Sequence, residues 1–229
     1  MSEQCTRGII FDLDGTLYAL RWMKLRMALS LRGSVGVLRK LTGARAVLRA
    51  GTYADRESLL AALFQELGRR AGIGVERAEA WYHERFMEAF VKLLGKSGRA
   101  RPELDGVLTR LRAANIKLAV VSDFGRVEDR LRALRIAPDL FDDLEAMEDY
   151  GVLKPSPKPM LALAGKWGID PREMVIVGDR TDLDGECARA AGMEFWGITD
   201  RPSRTQSGFV DWKSTSAMLE ARAKESVRT

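Results

Sequence analysis

The chain has 229 residues, of which 46% are apolar, and its formal net charge at pH 7 is +5. This length suits one domain or a domain with an insert, and the apolar content is ample for a packed core, which excludes a disordered chain. Two distant cysteines, Cys5 and Cys187, offer neither a disulfide framework nor a zinc-binding spacing. No apolar run approaches the ~20 residues that cross a bilayer, and the first residues lack a signal-peptide pattern, so we expect a cytoplasmic protein.

An apolar strand from Gly8 to Asp12 is the first predicted element. From Tyr18 to Ser97 the apolar residues recur at helical spacing, so this stretch predicts an all-helical insert. The aromatic residues that fit the core of the insert are Trp81, Tyr82, Phe86 and Phe90. The single histidine of the chain, His83, lies among them and has no part in the chemistry inferred below.

Helices and short strands alternate after the insert. The predicted order is a helix over 104–114, a strand over 118–121, a helix over 127–134, a strand near 144, a helix over 160–167, a strand over 174–177, a helix over 186–191, a strand near 195–196 and an amphipathic helix from 214. This alternation predicts an α/β fold, a doubly wound Rossmann-like parallel sheet. Residues 1–17 and 98–229 are expected to form this core, and residues 18–97 an inserted helical cap.

Two carboxylates, Asp12 and Asp14, stand two residues apart where the first strand meets Gly15. Residues alternate sides along a strand, so both side chains leave it in similar directions, and glycine permits the tight turn that follows. The sequence Asp-Leu-Asp-Gly of this turn recurs from Asp182 to Gly185, but only the first copy is predicted to end a strand. A metal ion and a phosphate group both fit such a pair of acids.

With apolar residues before it and Thr16 and Leu17 after it, this first segment resembles the first motif of the haloacid dehalogenase superfamily. Most members of that superfamily hydrolyse phosphate monoesters. Ser122, at the end of the next strand, resembles the second motif, whose hydroxyl holds a phosphoryl oxygen, although a serine there is also typical of a helix N-cap. Asp123 follows it where family members commonly carry Asn, and the sequence offers no reason for this acid.

The third and fourth motifs of the superfamily have counterparts near the end of the core. The Gly151 to Pro157 segment resembles the third motif, and its order of residues favours Lys154 over the rival Lys158 as the lysine that bridges the nucleophile and the phosphate. Asp179, after the strand over 174–177, resembles the magnesium-binding acid of the fourth motif. The family's second acid there matches Asp184, with Leu183 in place of the usual Asn and Asp182 as a reserve candidate.

All four motifs occur in the order of the family, so the resemblance implies a Mg²⁺-dependent phosphatase with a helical cap of the first cap subclass. By that resemblance Asp12 attacks phosphorus to form an aspartyl phosphate, and Asp14 protonates the leaving oxygen and then activates water. Ser122 and Lys154 are implied to bind the phosphate.

The resemblance also implies a set of metal ligands. Mg²⁺ is expected on Asp12, Asp179 and the backbone carbonyl of Asp14, with Thr16 and Asp184 in support. The ion supplies the positive charge that two acids beside a dianionic phosphate require.

Three other functions were weighed against this one. The dehalogenase branch lacks the second aspartate, so Asp14 argues against it. A phosphomutase or phosphotransferase would use the same residues, and the sequence does not separate it from a hydrolase. A non-catalytic binding protein has no reason to keep a nucleophile, an acid, a lysine and a metal ligand together.

The start of the insert is basic, because residues 18–50 contain no Asp or Glu. Its cations are Arg21, Lys24, Arg26, Arg32, Arg39, Lys40, Arg45 and Arg49. Three interpretations stay open: a solvated helix face, a surface for an anionic membrane or nucleic acid, or charges that face the active site. In the third case the small phosphorylated substrate carries an anionic group besides the phosphate that is cleaved.

Overall fold

The five strands of a computed structural model, which describes residues 6–20, 23–200 and 208–226, form one parallel sheet. The strands are β1 (Gly8–Phe11), β2 (Lys117–Ser122), β3 (Asp143–Ala146), β4 (Met174–Gly178) and β5 (Glu194–Gly197). Their order in the sheet is β3-β2-β1-β4-β5, and every neighbouring pair is parallel. The chain therefore starts in the centre and winds outward in both directions, which confirms the predicted doubly wound fold.

The central strands β1, β2 and β4 are buried on both faces from end to end except at Lys117, which explains why they are almost continuously apolar. Ile9 and Phe11 of β1 belong to one apolar cluster, while Ile10 between them packs with Val121 and Ile176 in a second cluster on the opposite face. The alternation along β1 therefore divides the core into two layers.

The helices of the core lie close to their predicted positions. They are α6 (Leu104–Ala113), α7 (Val127–Ala133), α8 (Lys158–Trp167), α9 (Glu186–Ala191) and α10 (Trp212–Ser226). Helix α10 begins two residues before the predicted start at Ser214, and the Trp212 Nε1 donates to the Pro102 carbonyl at 2.8 Å. Among the described residues no helix is long and apolar enough to span a membrane.

The regular elements that the structure describes over residues 23–97 are all helices, which agrees with the predicted helical insert. Its helices are α1 (Met23–Ser30), α2 (Val35–Leu48), α3 (Arg56–Ala71), α4 (Val75–Ala80) and α5 (Glu88–Ser97), with a π-helical segment over Trp81–Met87. The Arg101 backbone N–H donates to the Leu17 carbonyl at 2.9 Å, so the chain returns to the core beside its point of departure. The domain boundaries at 18 and 97 stay a prediction.

The four aromatic residues predicted for the core of the insert, Trp81, Tyr82, Phe86 and Phe90, are buried, and two of them contact the residue that follows β2. The rings of Phe86 and Phe90 lie 5.6 and 5.8 Å from the ring of Phe124, which follows β2. The exposed His83 contacts the rings of Phe64 and Tyr82 instead. The cap thus covers the carboxyl ends of the strands with apolar side chains.

Candidate active site

Three predicted site residues meet at the carboxyl ends of β1, β2 and β4. Because β1 lies between the other two strands, Asp12, Ser122 and Asp179 emerge at the same edge of the sheet. The Asp12 backbone N–H donates to the Val177 carbonyl at 2.9 Å, which holds the start of the turn against β4. The parallel topology alone therefore brings together residues that are more than 160 positions apart in the sequence.

Two glycines leave room for the acidic side chains of the site. Gly15 has a φ of +100°, and a Cβ added to it would lie 2.5 Å from an Asp179 carboxylate oxygen. A Cβ on Gly178 would lie equally close to the Asp184 side chain. Any side chain at either position would displace a carboxylate, which explains glycine next to the acids of the first and fourth motifs.

Asp12 is a buried carboxylate with two polar contacts to its oxygens. Its Oδ1 accepts from the Lys154 Nζ at 2.7 Å, and its Oδ2 accepts from the Thr16 hydroxyl at 3.2 Å. Burial raises the pKa of Asp12 well above its usual range, and the nearby acids Asp184, Asp14 and Asp179 raise it further, while Lys154 acts in the opposite direction.

Lys154 bridges two carboxylates inside the site. Its Nζ donates to Asp12 and to Asp184, both at 2.7 Å, and only 3% of the residue is exposed. Burial alone would lower the pKa of Lys154, but Asp12 and Asp184 outweigh it and the pKa is raised well above its usual range. The rival Lys158 is exposed and donates to the Tyr150 carbonyl at 2.7 Å. The structure therefore brings Lys154 to Asp12, and leaves Lys158 elsewhere.

The carboxylates of Asp12, Asp179 and Asp184 are close enough to bind a metal ion, since one oxygen from each lies within 4.8 Å of the others. Three carboxylate oxygens are a donor set suited to a hard divalent cation. Asp184 was expected only in support, yet its side chain is part of this cluster. The reserve candidate Asp182 pairs with Arg180 at the surface instead.

The side chain of Asp14 lies outside that cluster and has partners of its own. Its Oδ1 accepts from the Tyr18 hydroxyl at 2.5 Å, and its Oδ2 accepts from Arg130 and from the Ser122 hydroxyl, the latter at 3.3 Å. The expected contribution of Asp14 to metal binding was its backbone carbonyl, and that stays a prediction.

Ser122 does not cap the helix that follows it. Helix α7 begins at Val127, five residues later, and the Ser122 Oγ accepts instead from the Phe124 N–H at 3.3 Å and from Arg130 at 2.9 Å. The alternative reading of this serine as a helix N-cap is therefore wrong, and its hydroxyl lies beside the carboxylate of Asp14.

Asp123, which the sequence left unexplained, connects the core to the cap. Its Oδ1 accepts from the Lys154 backbone N–H at 2.9 Å, and its Oδ2 accepts from Arg49 of the cap at 2.9 Å. Arg45, also from the cap, donates to the Asp123 carbonyl at 2.6 Å. Burial would raise the pKa of Asp123, but Arg45, Arg49 and Lys154 lower it below its usual range. The acid therefore remains ionised as the partner of cap cations.

The basic segment of the cap divides into two groups. Arg21 and the side chain of Lys24 lie outside what the structure describes. The cations exposed to solvent are Arg26, Arg32, Arg39 and Lys40. Among the cations of this segment that the structure describes, only Arg45 and Arg49 contact the core next to the candidate site.

Sequence reasoning missed Tyr18, Arg130 and the specific role of Arg45 and Arg49. One signal for Arg130 was present, because it falls on the buried face of α7 with Val127 and Leu131. A charged residue at such a position requires a buried partner.

Comparison with known proteins agrees with the motifs. A model of the haloacid dehalogenase-like hydrolases matches residues 6–192. The phosphoglycolate phosphatase of Yersinia pseudotuberculosis is 30% identical over 208 residues, which cover 84% of this chain and 81% of that protein. The glyceraldehyde 3-phosphate phosphatase of Methanopyrus kandleri is 25% identical over 209 residues, which cover 82% of this chain and 81% of that protein.

Solved structures share the fold at lower identity. A protein of Haemophilus somnus described as a predicted phosphoglycolate phosphatase has a TM-score of 0.61 and 24% identity, over 92% of this chain and 96% of that chain. A 2-haloacid dehalogenase of Pseudomonas syringae has a TM-score of 0.63 and 23% identity, over 95% of this chain and 99% of that chain. Since proteins named for different reactions share the fold, the site must decide the chemistry.

We predict that divalent-cation binding weakens as the pH falls through about 6. Burial and the neighbouring Asp184 raise the pKa of Asp179 to about 6, so a proton and a metal ion compete for this carboxylate. Between pH 7.5 and pH 5.0 titration calorimetry with Mg²⁺ should show at least an approximately tenfold loss of affinity, since a group of pKa about 6 is then mostly protonated.

Asp179→Asn should abolish this binding, whereas Asp182→Asn, which removes an exposed acid from the same segment, should leave it unchanged. Equal affinities at the two pH values would contradict the assignment of Asp179 as a ligand.

Proposed function

The chain belongs to the haloacid dehalogenase-like hydrolases, and on that premise we propose that it is a Mg²⁺-dependent phosphatase that hydrolyses a small phosphate monoester through an aspartyl phosphate on Asp12. The predicted family and the enzyme class, a phosphoric monoester hydrolase, are confirmed. One observation carries the proposal: the buried Asp12 lies 2.7 Å from the Lys154 amine and within a cluster of two further acids. Asp14, the candidate acid and base, follows two residues later.

The proposed reaction has two displacements at phosphorus. An Asp12 oxygen attacks phosphorus, the bond to the leaving oxygen breaks, and Asp14, which enters this step with its carboxyl group protonated, donates that proton to the leaving oxygen. Asp14 then accepts a proton from a water molecule that attacks the aspartyl phosphate, which releases inorganic phosphate and restores Asp12. Ser122 and Lys154 hold phosphoryl oxygens during both steps, since phosphoryl transfer depends mainly on positioning and electrostatics.

The acidic cluster fits Mg²⁺, and we propose Asp12, Asp179 and the Asp14 carbonyl as its protein ligands. When bound, the ion supplies positive charge that offsets the repulsion between these acids and the phosphate. Thr16 supports the nucleophile by donating to Asp12, and Asp184 supports Lys154 by accepting from its amine.

We further propose that the substrate carries a second anionic group. Arg49 is 24% exposed at its side chain and donates to Asp123 and to the Lys154 carbonyl, so its guanidinium lies beside the residue that contacts Asp12. A guanidinium has five N–H donors in a planar fork that matches a carboxylate or a second phosphate. The names of the Yersinia and Methanopyrus relatives point to small phosphorylated metabolites, and phosphoglycolate carries such a carboxylate.

The basic cap offers less support for contact with nucleic acid or a membrane surface, because Arg45 and Arg49 are engaged by the core. The cytoplasmic location stays a prediction.

Asp12→Asn is expected to fold and to lose turnover by at least about 10³-fold, because an amide does not replace the carboxylate as a nucleophile. Phosphate release from a panel of phosphomonoesters with Mg²⁺ measures this, and phosphoryl transfer to a sugar phosphate in the same assay separates a mutase from a hydrolase. If Asp12→Asn keeps more than a few per cent of the wild-type rate, the nucleophile is another residue.

Lys154→Ala should lower turnover by at least about 10²-fold, the scale of removing one preorganised charge stabiliser. Lys158→Ala is the matched control, because it removes an equal charge four residues away that contacts only the Tyr150 carbonyl among the described residues. A larger loss of turnover in Lys158→Ala than in Lys154→Ala would show that Lys158 is the lysine of the third motif.

Arg49→Gln should raise the KM for phosphoglycolate by about tenfold or more, the scale of one charge-assisted hydrogen bond, and leave the KM for 2-hydroxyethyl phosphate nearly unchanged. Arg39→Gln is the control, since it removes the same charge from an exposed position of α2, the helix that ends immediately before Arg49. Equal changes for both substrates would show that Arg49 only holds the cap to Asp123.

A further inference from the structure

Arg130 of α7 is a completely buried cation beneath the candidate site. Its relative exposure is 0%, and it belongs to none of the four motifs. The guanidinium donates to the Asp14 carboxylate, to the Ser122 hydroxyl oxygen at 2.9 Å and to the Phe124 carbonyl at 3.0 Å. A single side chain therefore contacts one residue of the first motif and one of the second.

Packing alone does not explain a cation at this position. The neighbours of Arg130 on the buried face of α7 are Val127 and Leu131, so an apolar side chain would continue the core. Removing a guanidinium from water is energetically costly, and a buried ion pair is often no more stabilising than apolar residues of similar volume. The pair of Arg130 with Asp14 is therefore better explained by the chemistry of the site than by stability.

The contacts of Arg130 determine where the Ser122 proton points. A hydroxyl has two acceptor lone pairs and one proton to donate. The Ser122 oxygen accepts from Arg130 at 2.9 Å and from the Phe124 N–H at 3.3 Å, so both lone pairs are occupied. Its proton is then directed to the side of Asp14, whose Oδ2 lies 3.3 Å away. An oxygen of a bound phosphoryl group on that side would be a second charged acceptor for this proton.

The same guanidinium restrains the Asp14 carboxylate. Arg130 holds Oδ2 while the Tyr18 hydroxyl donates to Oδ1 at 2.5 Å, so both oxygens have a fixed partner. The Phe90 ring of the cap lies 4.6 Å from the guanidinium carbon and covers it. A buried, planar fork under an aromatic ring has little freedom to move, which makes it a rigid support for two side chains.

We propose that Arg130 is a positioning residue of the phosphoryl-transfer site, which aims the Ser122 hydroxyl at a phosphoryl oxygen and holds Asp14 beside the leaving group. This inference rests on the proposed phosphatase function. Arg130 itself touches neither the phosphorus nor the leaving oxygen in this scheme, and it acts only through Ser122 and Asp14.

The test uses two substrates that differ in their need for a proton at the leaving oxygen. The value of kcat/KM reports the steps up to formation of the aspartyl phosphate. In these steps an alkoxide leaving group requires the proton from Asp14, whereas the more stable 4-nitrophenolate does not. Arg130→Met should lower kcat/KM by about 10²-fold or more for 2-hydroxyethyl phosphate and by less than about tenfold for 4-nitrophenyl phosphate. Asp14→Asn should produce the same selective loss.

Two further variants separate positioning from folding. Arg132→Met removes an exposed arginine from the same helix, paired only with Glu128 among the described residues, and should leave both rates unchanged. Arg130→Lys keeps the buried charge without the fork that reaches two acceptors, so it should fold and show an intermediate loss with the same selectivity. An equal loss for both esters, in Arg130→Met or in Arg130→Lys, would overturn the proposal.

Binding of inorganic phosphate, measured by titration calorimetry, tests the contact with Ser122 without turnover. Arg130→Met and Ser122→Ala should each weaken binding, and the double variant should bind little worse than either, because the two residues act through one contact. If the wild type hydrolyses no phosphomonoester, the proposed function is wrong. The phosphate affinities of the two single variants and the double variant then test the contact between Arg130 and Ser122 without any turnover. Unchanged affinity in Arg130→Met would overturn the inference.

Discussion

The repulsion among buried carboxylates is the constraint on which the rest of the structure depends. Asp12, Asp14, Asp123, Asp179 and Asp184 meet at the carboxyl ends of three strands, and burial with like-charge repulsion raises the pKa of Asp12 and Asp179. Two like charges 4 Å apart repel by roughly 4 kcal/mol at an effective dielectric constant of 20. A fold that keeps several such acids together must place cations beside them. In this structure the cations belong to different elements of the fold.

The cations come from separate parts of the chain. Lys154 precedes α8 and reaches Asp12, Arg130 lies on α7 and reaches Asp14, and Arg49 comes from the cap and reaches Asp123. This arrangement gives Arg45 and Arg49, at the end of the acid-free segment 18–50, an acidic partner. The acidic partner of that segment stands in the core, directly after Ser122, so the docking of the cap completes a charge pair that neither part can make alone.

Aromatic side chains cover these charged groups and strengthen the interactions between them. Phe86 and Phe90 of the cap pack on Phe124, and the guanidinium groups of Arg45 and Arg130 lie over the rings of Phe124 and Phe90, at 4.2 and 4.6 Å from the ring centres. Exclusion of water lowers the local dielectric constant, so each remaining ion pair and hydrogen bond becomes stronger. The cap is therefore part of the electrostatic environment of the site as well as its cover.

The sequence by itself determined the order of the core elements, because that order depends on local periodicity, and its resemblance to the family pointed to the acids, serine and lysine of the motifs. It placed α8 from Met160 rather than Lys158, since helix ends carry the weakest local signal. The tertiary structure alone decided that Arg130 pairs with Asp14, 116 residues away, and that Asp123 binds the cap. The local pattern puts Arg130 on a buried helix face but does not identify its partner, because the residues that make the ion pair favourable come together only when the chain has folded.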